Sequence, residues 1–386
     1  MDELYIGSEQ DIFSKVLKQW EQAVNDMGHI NLLVTGKTGA GKSTLINAMF
    51  RKEIAVTGVG RPVTENTRCY EDDEMPLRIY DTKGLELSAN AQGETLGEIR
   101  ALIQEKWKNG NQDEFIHGIW YCVICGTNRI EDTELEWIKE LCSLGEAGVP
   151  VVVVITQSFR KGVAKTLQDT IEEAIGGQSL YRGCCMVLAN ADEEDPDGHP
   201  AFGLEELVEA TFHMIPDSAK KAFINAQGVS IDLKVKAAQK YLIRYIGSAT
   251  ITGASPIPFS DAPLLIANEI AMCVHLTATF GMELDKAAIV GIATALIGVP
   301  AATIAGKSLV SGAIKLIPGV GTVLGAVVSG GTAALVTAAL GRTYITVLEL
   351  IAKGELKRED WDTDAFKDKI RGIMKSEMDK NTTEVD

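Results

Sequence analysis

The chain has 386 residues, 46% hydrophobic and 23% charged, which is enough apolar material for a sizeable core and excludes a disordered polypeptide. That length fits two domains, or one with a large appendage. A formal net charge of -16 argues against a nucleic-acid-binding surface, which needs clustered Lys and Arg, so no nucleic-acid partner is expected.

The first ten residues, MDELYIGSEQ, are acidic and lack an apolar signal core, so nothing in them directs export and a cytoplasmic location is expected. A first segment, 1–27, carries an amphipathic helix over 8–27. Ser8 and Asp11 make a capping box there, and Ile12, Val16, Trp20 and Val24 recur at helical spacing.

Residues 36–44 read GKTGAGKST, between the hydrophobic run HINLLVT (29–35) and the helix-compatible run TLINAMF (44–50). Gly-x-x-x-x-Gly-Lys-Ser in a strand-to-helix setting is a phosphate-binding loop. Gly36, Gly39 and Gly41 let the backbone fold back so that its N–H groups, with those of Thr38, Ala40 and Thr44, converge on phosphate oxygens. Lys42 brings a point charge to the β/γ-phosphates and Ser43 a hydroxyl for Mg²⁺. This loop predicts binding of a nucleoside triphosphate.

Apolar runs follow at 77–80, 116–124, 151–156 and 184–189, separated by helix-like stretches near 42–52, 94–108, 132–144 and 163–175, with a last one at 203–214. Continuous Val/Ile runs mean strands covered on both faces, and the alternation means a mostly parallel sheet. Its ligand belongs beyond the carboxyl ends of the strands, where the phosphate loop lies. Asp81-Thr82-Lys83-Gly84 terminates the run LRIY; Asp81 can hold Mg²⁺ through water, and the Gly84 N–H can approach the γ-phosphate. The polar stretch 56–74 reads as a mobile switch loop whose Thr reaches Mg²⁺ and the γ-phosphate. Thr64 and Thr67 compete for that role, and Thr64 is favoured because it follows Pro62-Val63. The seven cysteines, including Cys122, Cys125, Cys184 and Cys185, lack zinc-site spacing and read as reduced, mostly buried thiols.

After Ile215-Pro216 the character changes, with a linker at 216–229 and a helical region over 230–386. Ile231, Val235, Ala238, Leu242 and Tyr245 share one helical face, and Lys234, Lys236, Lys240 and Arg244 lie elsewhere on it. This basic amphipathic helix could face anionic lipid or simply solvent. Two uncharged stretches, 287–306 and 316–340, are long enough to cross a bilayer core. They are also rich in Gly, Ala and Thr, so a membrane hairpin and a dry soluble helical core both fit. In the charged tail, Trp361, Phe366, Ile370 and Ile373 mark one amphipathic helix, and the acidic run 192–197 reads as a solvated loop.

The set GKTGAGKST, PVTENT and DTKG resembles the Era/TrmE-type translation-factor-related GTPases. The GxTGAGKS form is nearer the immunity-related, septin and Toc type. With the second half, and patterns such as TGASPIPFSDAPLL, the chain resembles bacterial GTPases carrying a C-terminal YcjF-type domain of unknown function. The resemblance covers about 28–215 and 230–350. It implies an α/β P-loop GTPase domain over 28–215, with a mostly parallel sheet and helices on both faces, followed by an all-α C-terminal domain. It also implies GTP and GDP as ligands with Mg²⁺ on Ser43, Thr64 and Asp81, and hydrolysis to GDP and phosphate.

Two departures from the family pattern bear on chemistry. Guanine is read in these families by Asn/Thr-Lys-x-Asp, and here the stretch is Thr156-Gln157-Ser158-Phe159, so Thr156 and Gln157 are candidate base contacts and the Asp is replaced. Ala189 and Asn190 stand where a backbone contact to the base is expected. Leu85 occupies the position of a water-orienting Gln, so hydrolysis draws its water-orienting group from elsewhere and is expected to be slow. Glu86, Lys83, Arg61, Arg129 or a group donated across a G-domain homodimer are the candidates. The catalytic candidates are thus Lys42, Thr64, Gly84 and Glu86. The leading expectation is a nucleotide switch acting on a membrane-associated helical domain at a lipid bilayer. Two other readings stay open, a dynamin-like membrane-remodelling GTPase and a non-hydrolysing nucleotide-binding scaffold.

Overall fold

The computed structural model describes residues 18, 21–23, 25–50, 54, 61–62, 67–72, 75–82, 89–127, 129–143, 148–191, 198–252, 262–282, 330–357 and 363–383. One compact unit spans Met27–Ser230, and the second comprises residues on either side of it.

In the first unit, strands β1 (Ile30–Gly36), β2 (Arg61–Pro62), β3 (Thr67–Asp72), β4 (Met75–Thr82), β5 (Gly118–Ile124), β6 (Val151–Thr156) and β7 (Tyr181–Met186) form one sheet. Their order is β2-β3-β4-β1-β5-β6-β7. The five strands from β4 to β7 are mutually parallel, whereas β3 runs antiparallel to β4 and β2 antiparallel to β3. Every residue of β1 and β6 is buried, as expected for strands covered on both faces.

Among the described residues, six α-helices flank the sheet: α1 (Lys42–Met49), α2 (Ala89–Lys108), α3 (Asp132–Leu141), α4 (Lys161–Ile175), α5 (Leu204–Met214) and α6 (Asp217–Ala226). Ile119, Tyr121 and Val123 of β5 point into the core shared with α2, α3 and α4, where Ile99, Ile138 and Ile171 are fully buried. Between them, Trp120 points to the opposite face, stacks on Phe50 at 6.0 Å, and donates its indole N–H to Thr211 Oγ1 on α5. Strand alternation therefore feeds two separate cores from one run.

The strand and helix order agrees with the sequence reading, with two corrections. The stretch 56–74 is not wholly a loop, because Arg61–Pro62 and Thr67–Asp72 add two strands to one side of the sheet, with Arg61–Pro62 at its edge. Residues 216–229 are not a linker either: Pro216 caps α6, whose Ala219, Ala222, Phe223 and Ala226 are buried against β4 and β1. Gly228 N–H then donates to Met49 O, which ties this segment to the end of α1.

The second unit is helical in its described residues: α7 (Ile231–Thr252), α8 (Ala262–Phe280), α9 (Gly330–Ala352) and α10 (Asp364–Thr383). Its core joins Ala238 and Leu242 of α7, Leu276 and Phe280 of α8, Tyr344 and Leu348 of α9, and Phe366 and Ile370 of α10. The expected apolar face of α7 is the one that packs. Lys234 is a correction, since it is fully buried and donates from Nζ to Phe280 O instead of facing lipid or solvent. Lys236, Lys240 and Arg244 are exposed.

The stretch 287–306 and residues 316–329 lie outside the described residues, while 330–340 open α9. Trp361, the acidic run 192–197 and the helix-face residues Ser8 to Trp20 and Val24 also lie outside them. Among the described residues, no helix is long and apolar enough to cross a membrane. The described cysteines are all free, five of them buried.

Candidate functional site

The phosphate loop joins β1 to α1 along the carboxyl edge of the sheet. Gly36 ends β1 at φ 142, where an added Cβ would lie 2.3 Å from Cys122 O on the neighbouring strand. The turn is closed by Ala40 N–H donating to Lys37 O at 3.1 Å. Gly41 then caps α1 in the left-handed region at φ 74, a conformation that costs a side-chain-bearing residue strain. Thr38 and Gly39 are exposed at the tip, and Ser43 and Thr44 are exposed in the first turn of α1. That turn leaves unpaired N–H groups and a positive dipole end, the ingredients of an anion site.

Lys42 is buried but not lost in hydrocarbon. Its Nζ donates to Gly36 O at 3.1 Å and Lys37 O at 3.3 Å, so the ammonium is held over the loop's own carbonyls. Asp81, at the end of β4 beside β1, completes this corner. Burial pushes its carboxyl up to about 6, against the opposing pull of Lys42 and Arg68. Its Oδ1 is buried and without a hydrogen-bond partner among the described residues. An orphaned carboxylate oxygen at the end of β4 and an exposed serine hydroxyl in the first turn of α1 are the donor types that suit a hard divalent cation such as Mg²⁺. Behind it, Thr82 Oγ1 donates to Thr35 Oγ1 at 2.9 Å, fixing the β4 terminus to β1.

The loop is also clamped from both sides. Thr156, at the end of β6, donates its hydroxyl to Ala40 O at 2.6 Å and lies 3.2 Å from Val123 O. Gln157 sits in the left-handed region at φ 53 and donates Nε2 to Gly39 O at 2.9 Å. On the other side, Lys37 Nζ lies 2.6 Å from the buried Glu134 carboxylate and 3.2 Å from Glu131. Tyr121 donates its hydroxyl to the same Glu134. Burial alone would lower Lys37, but the Glu134 and Glu131 hydrogen bonds and charges outweigh it and hold the ammonium above its ordinary value.

Beside the loop opens a cavity of about 440 Å³ whose lining includes Gly41, Thr44, Gln157, Phe159, Ala189 and Asn190. Thr156, Gln157, Ala189 and Asn190 thus meet at one site, next to Gly36 through Thr44. Phe159 stands on its wall, 42% exposed. Thr64, Gly84 and Glu86, together with Lys83 and Leu85, lie outside the described residues. The sequence reading missed Glu134 and Tyr121, because a Glu in the first turn of a helix ordinarily reads as solvated.

Residues 31–157 match the family model described as 50S ribosome-binding GTPase. The first unit has the fold of a P-loop GTPase domain. This G domain is 29% identical over 143 residues to the tRNA modification GTPase MnmE of Actinobacillus pleuropneumoniae serotype 5b (strain L20), spanning 36% of this chain and 29% of that protein. It is 26% identical over 150 residues to the GTPase Era of Ureaplasma urealyticum serovar 10 (strain ATCC 33699 / Western), over 38% of this chain and 45% of that one. A solved structure, a probable GTP-binding protein engB, covers 48% of this chain and 97% of its own at 18% identity, with a TM-score of 0.32. The chain thus spans less than half the length of these two curated relatives.

Proposed function

We propose that the chain binds GTP in its G domain, hydrolyses it to GDP and phosphate, and passes the nucleotide state to its C-terminal helical region. The observation that carries this reading is the phosphate loop itself. Its glycines hold left-handed turns, Lys42 hangs over its mouth, and the first turn of α1 offers Ser43 and Thr44. Loop amides and the helix dipole would orient the triphosphate, and Lys42 would turn from the carbonyls of Gly36 and Lys37 to the phosphates. Mg²⁺, held by Ser43 and Asp81 with Thr64 as a third candidate, would supply neutralisation of phosphate charge when bound.

Turnover is slow in this reading, because Leu85 offers no group to orient water after Asp-x-x-Gly. Glu86, or a group contributed by a second G domain, would supply it, and loss of the γ-phosphate would release the segments around Thr64 and Gly84. The C-terminal region, which resembles a YcjF-type domain, would act at a membrane surface. Support comes from α7, whose exposed Lys236, Lys240 and Arg244 flank Ile243, itself 68% exposed.

Phosphate release from GTP by the purified chain tests the reaction, across protein concentration and with vesicles of anionic lipid. Turnover that Lys42→Ala removes, and that rises with concentration, supports the switch. Binding without turnover under every condition would leave a nucleotide-binding scaffold, and strong stimulation by vesicles with cooperative assembly would favour the dynamin-like reading.

A further inference from the structure

The cavity beside the phosphate loop has a volume of about 440 Å³, in the range of small-ligand sites. We propose that this cavity accepts purine bases without strong selection for guanine, and that Phe159 is the residue that sets this tolerance. The proposal rests on the nucleotide reading above and names its substrate class more widely, as purine nucleoside triphosphates.

Guanine presents two donors on its Watson–Crick edge, N1–H and the 2-amino group, and a carboxylate can accept both. The same carboxylate would face the N1 lone pair of adenine and repel it. Phe159 can do neither. Its phenyl ring lies on the cavity wall, 6.0 Å from the His199 ring, and offers no acceptor pair to guanine and no like-charge penalty to adenine. Among the described residues no carboxylate lines the cavity.

The remaining polar groups reinforce this neutrality. Thr156 spends its hydroxyl proton on Ala40 O, and Gln157 spends one Nε2–H on Gly39 O. The Leu188 N–H and C=O are both paired with Phe202, and the Ser158 hydroxyl donates to Ile155 O. Among the described lining side chains, the Thr44 hydroxyl, the Asn190 amide, and the Oε1 and second Nε2–H of Gln157 are left to meet a base, and each of these side chains can both donate and accept. Such groups satisfy either purine edge by rotating. Affinity then comes from the phosphate loop and from apolar contact with Leu45, Phe159 and Leu188.

The test is displacement of a fluorescent ribose-labelled GTP from the full chain, with Mg²⁺, by unlabelled GTP, ATP and ITP. In the wild-type protein the three should displace it with affinities within about tenfold of one another, since a bidentate base contact worth about 5- to 150-fold is missing. Phe159→Asp restores that contact and should raise preference for GTP over both ATP and ITP by about tenfold or more. Phe159→Ala keeps the wall apolar and should change all three affinities by the same factor. The exposed setting of Phe159 makes all three proteins foldable, which their unliganded melting curves check. A wild-type preference for GTP of a hundredfold or more, or an unchanged ratio in Phe159→Asp, would overturn the proposal while leaving nucleotide binding intact. Failure of the labelled nucleotide to bind at all would overturn the underlying reading instead, and this one with it.

Discussion

Removing Glu134 should loosen the phosphate loop from a distance. Its carboxylate is 6% exposed, lies 2.6 Å from Lys37 Nζ, and accepts the Tyr121 hydroxyl at 3.0 Å. Breaking a buried pair by deleting one partner costs about 3–5 kcal/mol, because the other charge is left uncompensated. Lys37 is 18% exposed and keeps Glu131 at 3.2 Å, so Glu134→Ala belongs at the low end, about 3 kcal/mol. In a unit of this size each kcal/mol moves Tm by about 2–4 °C, which gives a drop of about 6–12 °C. Glu134→Gln keeps an acceptor for Tyr121 and should lose less. The raised Lys37 value fixes the pH behaviour: this contribution is complete below the unfolded value of about 10.5 and fades only as pH climbs through the higher folded value. The gap between wild type and Glu134→Ala is therefore flat from about pH 7 to 9. Thermal melts of wild type, Glu134→Ala, Lys37→Met and the double variant measure it, and the double should cost about 1–3 kcal/mol less than the sum. A drop under about 3 °C, or strict additivity, would refute the clamp.

Two further outcomes follow from burial. Phe223 is fully buried on α6 against the sheet, so Phe223→Ala should cost about 3–5 kcal/mol in a denaturant titration, whereas a true linker residue would cost almost nothing. His117 accepts the Asn31 N–H at Nδ1, and burial holds its imidazole below the ordinary value despite the Gln112 carbonyl and Asp113. The unfolded chain takes up a proton near 6.5 that the folded form resists. The stability stored there is thus complete above about pH 6.5 and lost as pH falls toward the depressed value. Melts between pH 8 and 5 should show that loss, and His117→Asn should flatten it.

The sheet and the phosphate loop were legible because they are written in periodicity and in glycines. Runs such as VVVVIT admit only a strand covered on both faces, and the Gly36–Gly41 spacing encodes main-chain geometry. Thr156, Gln157, Ala189 and Asn190 were found at one cavity because strand ends in a parallel sheet share an edge. The misses have physical causes as well. Thr67–Asp72 reads TRCYED, mostly polar because it packs near the sheet edge, so it lacks the apolar signature of the inner strands. Ile215-Pro216 looked like a break, yet proline at a helix start is tolerated, and Ala219, Ala222 and Phe223 then recur at helical spacing. Lys234 reads from sequence as one of the cations that face lipid or solvent, but its long stem is buried and reaches the last carbonyl of α8. Glu134 escaped because its partner Lys37 is distant in sequence and lies inside the loop motif itself.

Calorimetric titration of the intact chain with GTP and Mg²⁺ probes the central assignment most directly, with Lys42→Ala run beside it. One nucleotide per chain should bind the wild-type protein. The variant should bind at least a hundredfold more weakly with an unchanged unliganded melt. Equal binding by the two proteins would mean that the β1–α1 turn does not hold the triphosphate.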